Sequence, residues 1–176
     1  MSAEISFFDK GVGSEKREVA FVPFDEEGRQ SAVDRVWQPV RDHHAALQAV
    51  VEEAARVART PIATVSIVDR ARQCIVAKRG DVDDEMPRAA SFCAHAIHRP
   101  GEPMIVPDAR HDRRFADNPF VVAAPFIRFY AGIPLVDRAG YPIGALCVID
   151  DKLHDTMPDL FRLGELARGV ERLIAH

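Results

Sequence analysis

The order of hydrophobic patterns along the chain predicts an α+β fold, with an antiparallel sheet covered on one face by terminal helices. Apolar residues recur at three- and four-residue steps in 40–58 and again in 157–176, which predicts an amphipathic helix at each position. Two pairs of apolar, β-branched segments joined by short turns predict two hairpins. A long, turn-rich segment between the hairpins predicts a crossover on the other face of the sheet.

The first helix and the first hairpin follow directly from local signals. Pro39 suits the first position of the helix, where its missing N–H is not needed. The helix is expected to end near Thr60, because the residue before Pro61 disfavours helical angles. Segments 61–69 and 72–80 then form the hairpin, and the first of them is apolar on both faces.

The middle of the chain combines short elements with loops. A charged loop over 81–90 leads to Ser91, which is a good N-cap for a short helix over 92–98. Segment 102–109 predicts another short strand. The turn-rich segment 110–126 predicts the crossover, because its Asp and Asn residues can cap turns.

The last third of the chain predicts a second hairpin and a closing helix. Segments 127–137 and 141–150 are strongly apolar and are joined by a turn with Gly140, where a positive φ is expected. Segment 157–176 carries a stripe of leucine, valine and isoleucine on one helical face.

Length, composition and charge indicate one globular domain and argue against nucleic-acid binding and membrane insertion. The chain has 176 residues, 47% of them hydrophobic and 28% charged, as in ordinary globular proteins. We predict a single domain over 31–176 and a flexible or partner-docking N-terminal segment over 1–30. The net charge of −4, without a basic stripe, argues against nucleic-acid binding. No segment resembles a signal peptide or a membrane span, so we expect a cytoplasmic protein without membrane contact.

The reactive side chains do not form a familiar catalytic or metal motif. Cys74, Cys93 and Cys147 are far apart, and no pair has CxxC spacing, which argues against a zinc ribbon or a thioredoxin-like site. Cys93 and His95 diverge by about 200° on a helix, so they do not form a nucleophile and base pair. His95 and His98 share a helical face, but a metal site needs a further ligand. We therefore predict no metal, no cofactor and no catalytic residue.

Five collinear segments resemble the bacterial GAF domain from about residue 40 to residue 175. They read PIATVSIVD followed by RQ, SFCAHAI, VPDARHDRRFADNP, IRFYAGIPLVD and IGALCVID. The resemblance implies a PAS-like fold with a five- or six-stranded antiparallel sheet and the N- and C-terminal helices on one face. It also implies a pocket under the crossover on the other face. The chain is identified as a stand-alone bacterial member, similar to sensor domains fused to histidine kinases and diguanylate cyclases.

The resemblance implies a non-enzymatic sensory or regulatory domain. Such a domain binds a small molecule or a protein partner, and this chain, which contains no kinase or cyclase segment, would signal in trans. It lacks the NKxxF…DE signature of the GAF domains that bind cyclic nucleotides, which argues against that ligand class. GAF relatives often pair through terminal helices, and both predicted terminal helices carry apolar stripes, so we expect a homodimer.

We predict eight ligand-binding residues around the implied pocket. They lie on the short helix, the crossover and the strand that follows: Phe92, Cys93, Asp108, Phe115, Asn118, Phe126, Arg128 and Tyr130. Core packing is the alternative for the aromatic residues, and turn capping is the alternative for Asp108 and Asn118. Arg128 opens an apolar strand, and an unpaired buried charge is costly. We therefore predict that Asp108 or Asp112 pairs with Arg128.

Two alternatives give the cysteines a chemical role. Some stand-alone GAF proteins are free methionine-(R)-sulfoxide reductases with three cysteines, two of them close together beside the pocket. Here only Cys93 is in that region, which argues against this enzyme. The second alternative is redox sensing by Cys74 or Cys93 without turnover, which requires an accessible thiol with a lowered pKa.

Overall fold

Three helices form a layer on one face of a sheet. The structure is a computed structural model that describes residues 25–175. The helices of this layer are α1 (Glu26–Asp42), α2 (His44–Ala58) and α5 (Leu160–Ile174). The side chain of Asp25 caps α1, and Arg29 is fully buried. The folded part therefore begins before the predicted boundary at 31, and the remainder of the predicted N-terminal segment lies outside the described residues.

The sheet has six strands: β1 (Ile62–Val68), β2 (Arg72–Arg79), β3 (Glu85–Pro87), β4 (Met104–Val106), β5 (Phe129–Val136) and β6 (Pro142–Asp150). They are antiparallel and follow the order β3-β2-β1-β6-β5-β4, so that β1 and β6 are neighbours at the centre of the sheet. This confirms the α+β class and the antiparallel sheet with terminal helices.

The short elements and the crossover cover the opposite face of the sheet. Ser91 caps α3 (Phe92–Ala96) as predicted, by accepting a hydrogen bond from the backbone N–H of Ala94 at 2.9 Å. The crossover contains a 3-10 turn over Ala109–His111 and the single turn of α4 (Pro119–Val122). None of the helices among residues 25–175 is long and apolar enough to cross a membrane.

The first helix differs from its prediction. Two helices that meet at His43 replace the single predicted helix, and Pro39 lies inside α1, three residues before its end. Val33 and Val36 extend the apolar stripe towards the N-terminus, and both are buried against the sheet. Burial of this stripe outweighs the hydrogen bond that Pro39 cannot donate, because tertiary packing supplies most of a helix's stability.

Strand β3 was missed, because its three residues lie in the predicted charged loop and are too few to show alternation. It pairs with β2 at the edge of the sheet, where Arg72 and Glu85 form an ion pair at 2.9 Å. The predicted turn in the second hairpin is confirmed, since Gly140 has a φ of 89°.

The sheet separates two hydrophobic cores. The helix-side core lies between the sheet and the three long helices, and its central members are Val33, Val36, Leu47, Val51, Val65, Ile67, Leu146, Leu163 and Val170. The cavity-side core lies between the sheet and the crossover, and its central members are Val68, Phe92, Cys93, Phe115, Ile127, Tyr130 and Cys147.

Candidate functional site

A cavity of about 390 Å³ lies between the sheet and the crossover. Its sheet wall is formed by Thr64, Gln73, Ile75, Tyr130, Cys147 and Ile149. Its other walls come from α3, the crossover, the loop after β2 and strand β3, which contribute Phe92, Cys93, Phe120, Ala124, Pro125, Ile127, Asp81, Val82, Asp83 and Met86. The cavity therefore lies where the resemblance implied a pocket, on the face away from the long helices.

Three of the eight predicted site residues line this cavity: Phe92, Cys93 and Tyr130. All three are buried. Phe92 and Cys93 begin α3, where the Ser91 cap fixes the start of the helix, and Tyr130 lies on β5. Phe115 lies behind this wall, because its ring stacks on Phe92 with 3.9 Å between the ring centroids.

Three other predicted residues organise the crossover without lining the cavity. Asn118 accepts a hydrogen bond from the N–H of Phe120 at 2.9 Å and donates to the carbonyl of Ala90 at 2.8 Å. Asp108 caps the 3-10 turn that follows it. Phe126 has a φ of 57°, and its side chain is 48% exposed. The turn-capping alternative describes Asp108 and Asn118 in this structure.

The predicted ion pair of Arg128 with Asp108 or Asp112 is wrong. The guanidinium donates instead to the carbonyls of Val121 and Ile127, each at 3.0 Å. Arg128 is only partly buried. Its charge therefore keeps part of its hydration and needs no carboxylate.

The two aspartates bind arginines of their own turns. Asp108 lies 2.8 Å from Arg110, and Asp112 lies 2.6 Å from Arg114. The hydrogen bond from Arg110 holds the pKa of Asp108 well below its usual range. In each pair the two residues are only two positions apart. Such pairs form readily because closing so short a loop costs the chain little conformational entropy.

Four buried polar residues, Thr64, Ser66, Gln73 and Ser91, form a hydrogen-bonded row that we call the polar floor. Ser66 Oγ lies 3.1 Å from Thr64 Oγ1 and accepts a hydrogen bond from Gln73 Nε2, also at 3.1 Å. Ser91 Oγ donates to Gln73 Oε1. The row connects β1 and β2 to the start of α3, and Thr64 and Gln73 face the cavity.

The polar floor continues into a pair of thiols. Cys147 Sγ lies 2.9 Å from Thr64 Oγ1 and 3.5 Å from Cys93 Sγ. Tyr130 donates from its hydroxyl to Cys93 Sγ at 3.4 Å. The hydrogen bonds from Cys147 and Tyr130 lower the pKa of the Cys93 thiol against the effect of burial. The bond to Cys93, together with burial, raises the pKa of Cys147 well above its usual range.

Tyr130 owes its position to Gly132, two residues further along the same face of β5. A Cβ at residue 132 would lie 2.7 Å from Cε1 of the tyrosine ring and would also clash with its hydroxyl. Glycine therefore lets the ring lie along the strand. Burial raises the pKa of Tyr130 well above its usual range, so its hydroxyl keeps its proton.

The third cysteine belongs to the other face of the sheet. Cys74 is directly opposite Ile67 in the β1–β2 register, and Ile67 is a member of the helix-side core. Side chains opposite each other in a ladder share a face. Burial raises the pKa of the Cys74 thiol.

The two histidines of the SFCAHAIH stretch pack beside the cavity-side core. The ring of His95 meets Phe115 edge to face, with 4.9 Å between centroids. Burial, with the charges of His95 and Arg88, lowers the pKa of His98 to about 4. Within residues 25–175, no group of three or more His, Cys, Asp or Glu side chains could hold a metal ion.

Part of the site was missed because its residues carry no motif. Thr64, Ser66 and Gln73 have the pattern of ordinary strand residues, and Cys147 is far along the chain from the other two cysteines. One signal was available: Thr64 and Ser66 are two apart in an otherwise apolar strand, which indicates one polar face.

Comparison with known proteins identifies relatives of this architecture. The GAF domain family model matches residues 42–167. A cyclic di-GMP phosphodiesterase of Pseudomonas aeruginosa is 42% identical over 128 residues, which make up 73% of this chain and 22% of that protein. The chain thus spans less than a quarter of this relative's length.

Two solved structures share the fold at low sequence identity. The free methionine-R-sulfoxide reductase of Thermoplasma acidophilum matches with a TM-score of 0.61 and 14% identity, covering 78% of this chain and 98% of that one. The GAF domain of an Acinetobacter phosphoenolpyruvate-protein phosphotransferase matches with a TM-score of 0.58 and 16% identity, covering 83% and 92%. With a family match over most of the folded part and the cavity in the implied place, the chain belongs to the GAF domain family.

Proposed function

We propose that this GAF domain is a non-enzymatic, cytoplasmic sensory module that binds a small molecule in the cavity and signals in trans. The observation that carries the proposal is the cavity itself, with a volume of about 390 Å³. Small-molecule sites in proteins are concave, mostly apolar, and hold a few well-placed polar groups. The cavity has this composition, because aromatic and aliphatic walls surround the buried polar floor.

The lining favours a ligand with one polar end and an apolar body. Thr64 and Gln73 offer a hydroxyl and an amide from the sheet, while Phe120 and Ile127 supply apolar surface. Phe92, Cys93 and Tyr130 are the predicted residues that we retain as ligand contacts.

We further propose that the signalling partner acts in cyclic di-GMP turnover. The support is the 42% identity to one segment of a cyclic di-GMP phosphodiesterase. A domain of this kind would bias the activity of its partner by binding it differently in the occupied and empty states.

A homodimer through the terminal helices stays a prediction, with changed support. The apolar stripes that suggested it are buried within the chain, since Val51 on α2 and Val170 on α5 belong to the helix-side core. Phe161 on α5, which is 74% exposed, and Met157 just before this helix are apolar side chains that remain available for pairing. Sedimentation at micromolar concentration tests this prediction, and a strict monomer would contradict it.

The reductase alternative is less well supported by the arrangement of thiols. Cys93 and Cys147 line the cavity, but Cys74 faces the helix-side core. An assay with free methionine sulfoxide and thioredoxin decides the point. We expect no turnover, and measurable turnover would replace the sensory proposal with an enzymatic one.

Native mass spectrometry after incubation with a bacterial lysate tests ligand binding. Ile75→Trp places a large side chain in the cavity, and we expect it to abolish a noncovalent small-molecule adduct seen on the original protein. Leu153→Trp is the matched control, because Leu153 is 52% exposed and does not line the cavity. An adduct that survives Ile75→Trp, or the lack of any adduct on the original protein, would contradict the proposal.

A further inference from the structure

Two thiols from distant parts of the chain meet in the wall of the cavity. Cys93 starts α3 and Cys147 lies in β6, and their sulfur atoms are 3.5 Å apart. Both residues line the cavity although each is only 1% exposed, so a small oxidant that enters the cavity meets the pair at its wall. We propose that this pair is a modification site, at which a hydroperoxide converts Cys93 and Cys147 to a reversible disulfide.

The surroundings assign the two thiols different roles. Cys93 Sγ accepts a hydrogen bond from the Tyr130 hydroxyl at 3.4 Å, whereas the Cys147 thiol donates its proton to the Thr64 carbonyl at 3.8 Å. Hydrogen bonds donated to a sulfur stabilise its thiolate, which is the reactive form. Cys93 is therefore the attacking residue and Cys147 the resolving residue, in agreement with the opposite directions of their pKa shifts.

The chemistry balances with the hydroperoxide as the oxidant. The Cys93 thiolate attacks the terminal peroxide oxygen, so that an S–O bond forms, the O–O bond breaks, and the alcohol leaves after taking up the proton released from Cys93. Cys147 then attacks Cys93 Sγ, forming the S–S bond and breaking the S–O bond. The hydroxide leaves as water with the proton of Cys147. The two thiols lose two electrons together, and the hydroperoxide is reduced to an alcohol and water.

Oxidation would change the shape of the cavity. A disulfide brings its sulfur atoms to about 2.05 Å, so the pair must close the present gap of 3.5 Å by rotation of the two side chains together with an approach of α3 to β6. Ser91 fixes the start of α3 and also bonds Gln73 in the polar floor. The movement would therefore reach the polar floor as well as the thiols. This inference goes beyond ligand binding and does not depend on it.

Peroxide treatment of the reduced full chain tests the proposal. We expect the folded protein to lose two hydrogens, as seen by intact mass, and to yield a peptide pair cross-linked through Cys93 and Cys147. Dithiothreitol should restore both thiols. Cys74→Ala is the matched variant, because its thiol faces the other core and the pair remains intact, and we expect it to oxidise at the original rate.

Two further variants separate the assigned roles. In Cys147→Ala, Cys93 should stop at the sulfenic acid, which dimedone traps. Tyr130→Phe should slow the reaction several-fold while still giving the same cross-link, since only the hydrogen bond to Cys93 is lost. Retention of three free thiols in the folded original protein, or a cross-link that includes Cys74, would overturn the proposal. Because these readouts use the original chain and Cys74→Ala, they hold even if a core variant fails to fold.

Discussion

The two faces of the sheet carry cores that differ in composition and in packing. The helix-side core is almost entirely aliphatic, and Leu47, Val51 and Val170 in it are fully buried. The cavity-side core is smaller and combines stacked aromatic rings with thiols, buried hydroxyls and an open volume. Close packing stabilises the folded state, whereas atoms that border a cavity lose van der Waals contacts. The difference indicates that the helix side supplies most of the packing stability, while the cavity side gives up packing to keep an open volume.

The largest expected effect is a loss of stability on the helix side. Leu47→Ala should lower the free energy of unfolding by about 3 kcal/mol, because a fully buried side chain leaves a void. Ile75→Ala on the cavity wall should cost only about 1 kcal/mol, since Ile75 is partly buried and already borders open space. Urea unfolding measures both values. Equal losses would show that the two faces contribute alike.

The next largest loss of stability is expected when an ion pair that connects the two faces of the sheet is removed. The Glu26 carboxylate lies 2.7 Å from the fully buried Arg29 on α1 and 2.5 Å from Arg88, beside the start of α3. Glu26→Gln leaves Arg29 without its carboxylate and should cost about 2 kcal/mol at neutral pH. Glu27→Gln is the control, because Glu27 is exposed and its loss should leave the urea midpoint unchanged.

Acid should remove the contribution of Glu26. Burial alone would raise the pKa of Glu26, but hydrogen bonds from Arg29 and Arg88 outweigh it and lower the pKa to about 2, against 4.5 for the free side chain. A lowered pKa in the folded state gives stability that is complete above 4.5 and is lost as the pH falls to 2. The difference in unfolding free energy between the original protein and Glu26→Gln should shrink over this window. A constant difference would contradict the assignment.

The smallest expected effect is on the pH dependence of stability through His98 on the cavity side. As for Glu26, acid should lower the stability, but here because the unfolded chain takes up a proton more readily than the folded one. Burial lowers the pKa of His98 to about 4, so the unfolded chain takes up a proton near pH 6.5 while the folded chain resists it. Stability should therefore decline between pH 6.5 and 4. His98→Asn should flatten this decline by about 1 kcal/mol in urea unfolding as a function of pH, which is less than the full pKa shift would give because His98 is only partly buried. The same slope in both proteins would show that His98 does not couple folding to protonation.

Much of the fold was predictable because it depends on local periodicity. The hairpins, the Ser91 cap and the closing helix each leave a pattern within their own residues. The break at His43 was not predictable, because the packing of Val36 against the sheet, and not the local sequence, decides that Pro39 lies inside a helix.

The site was only partly predictable, because its key contacts join distant residues. Cys93 and Cys147 are 54 positions apart, and only the position of α3 over β6 brings their sulfur atoms together. Arg128 failed as a prediction for a related reason. Arg128 donates to the Val121 carbonyl of the crossover at 3.0 Å, and a backbone acceptor cannot be predicted from a pattern of side chains.

The central strands β1 and β6 contribute side chains to both cores and form the wall between them. They approach so closely that a Cβ at Gly144 would collide with the Ser66 carbonyl, and no side chain separates them there. Along β6, Leu146 faces the helices and its covalent neighbour Cys147 faces the cavity. A displacement of Cys147 on the cavity side would act on Leu146, and through it on the helical layer, across a single peptide bond.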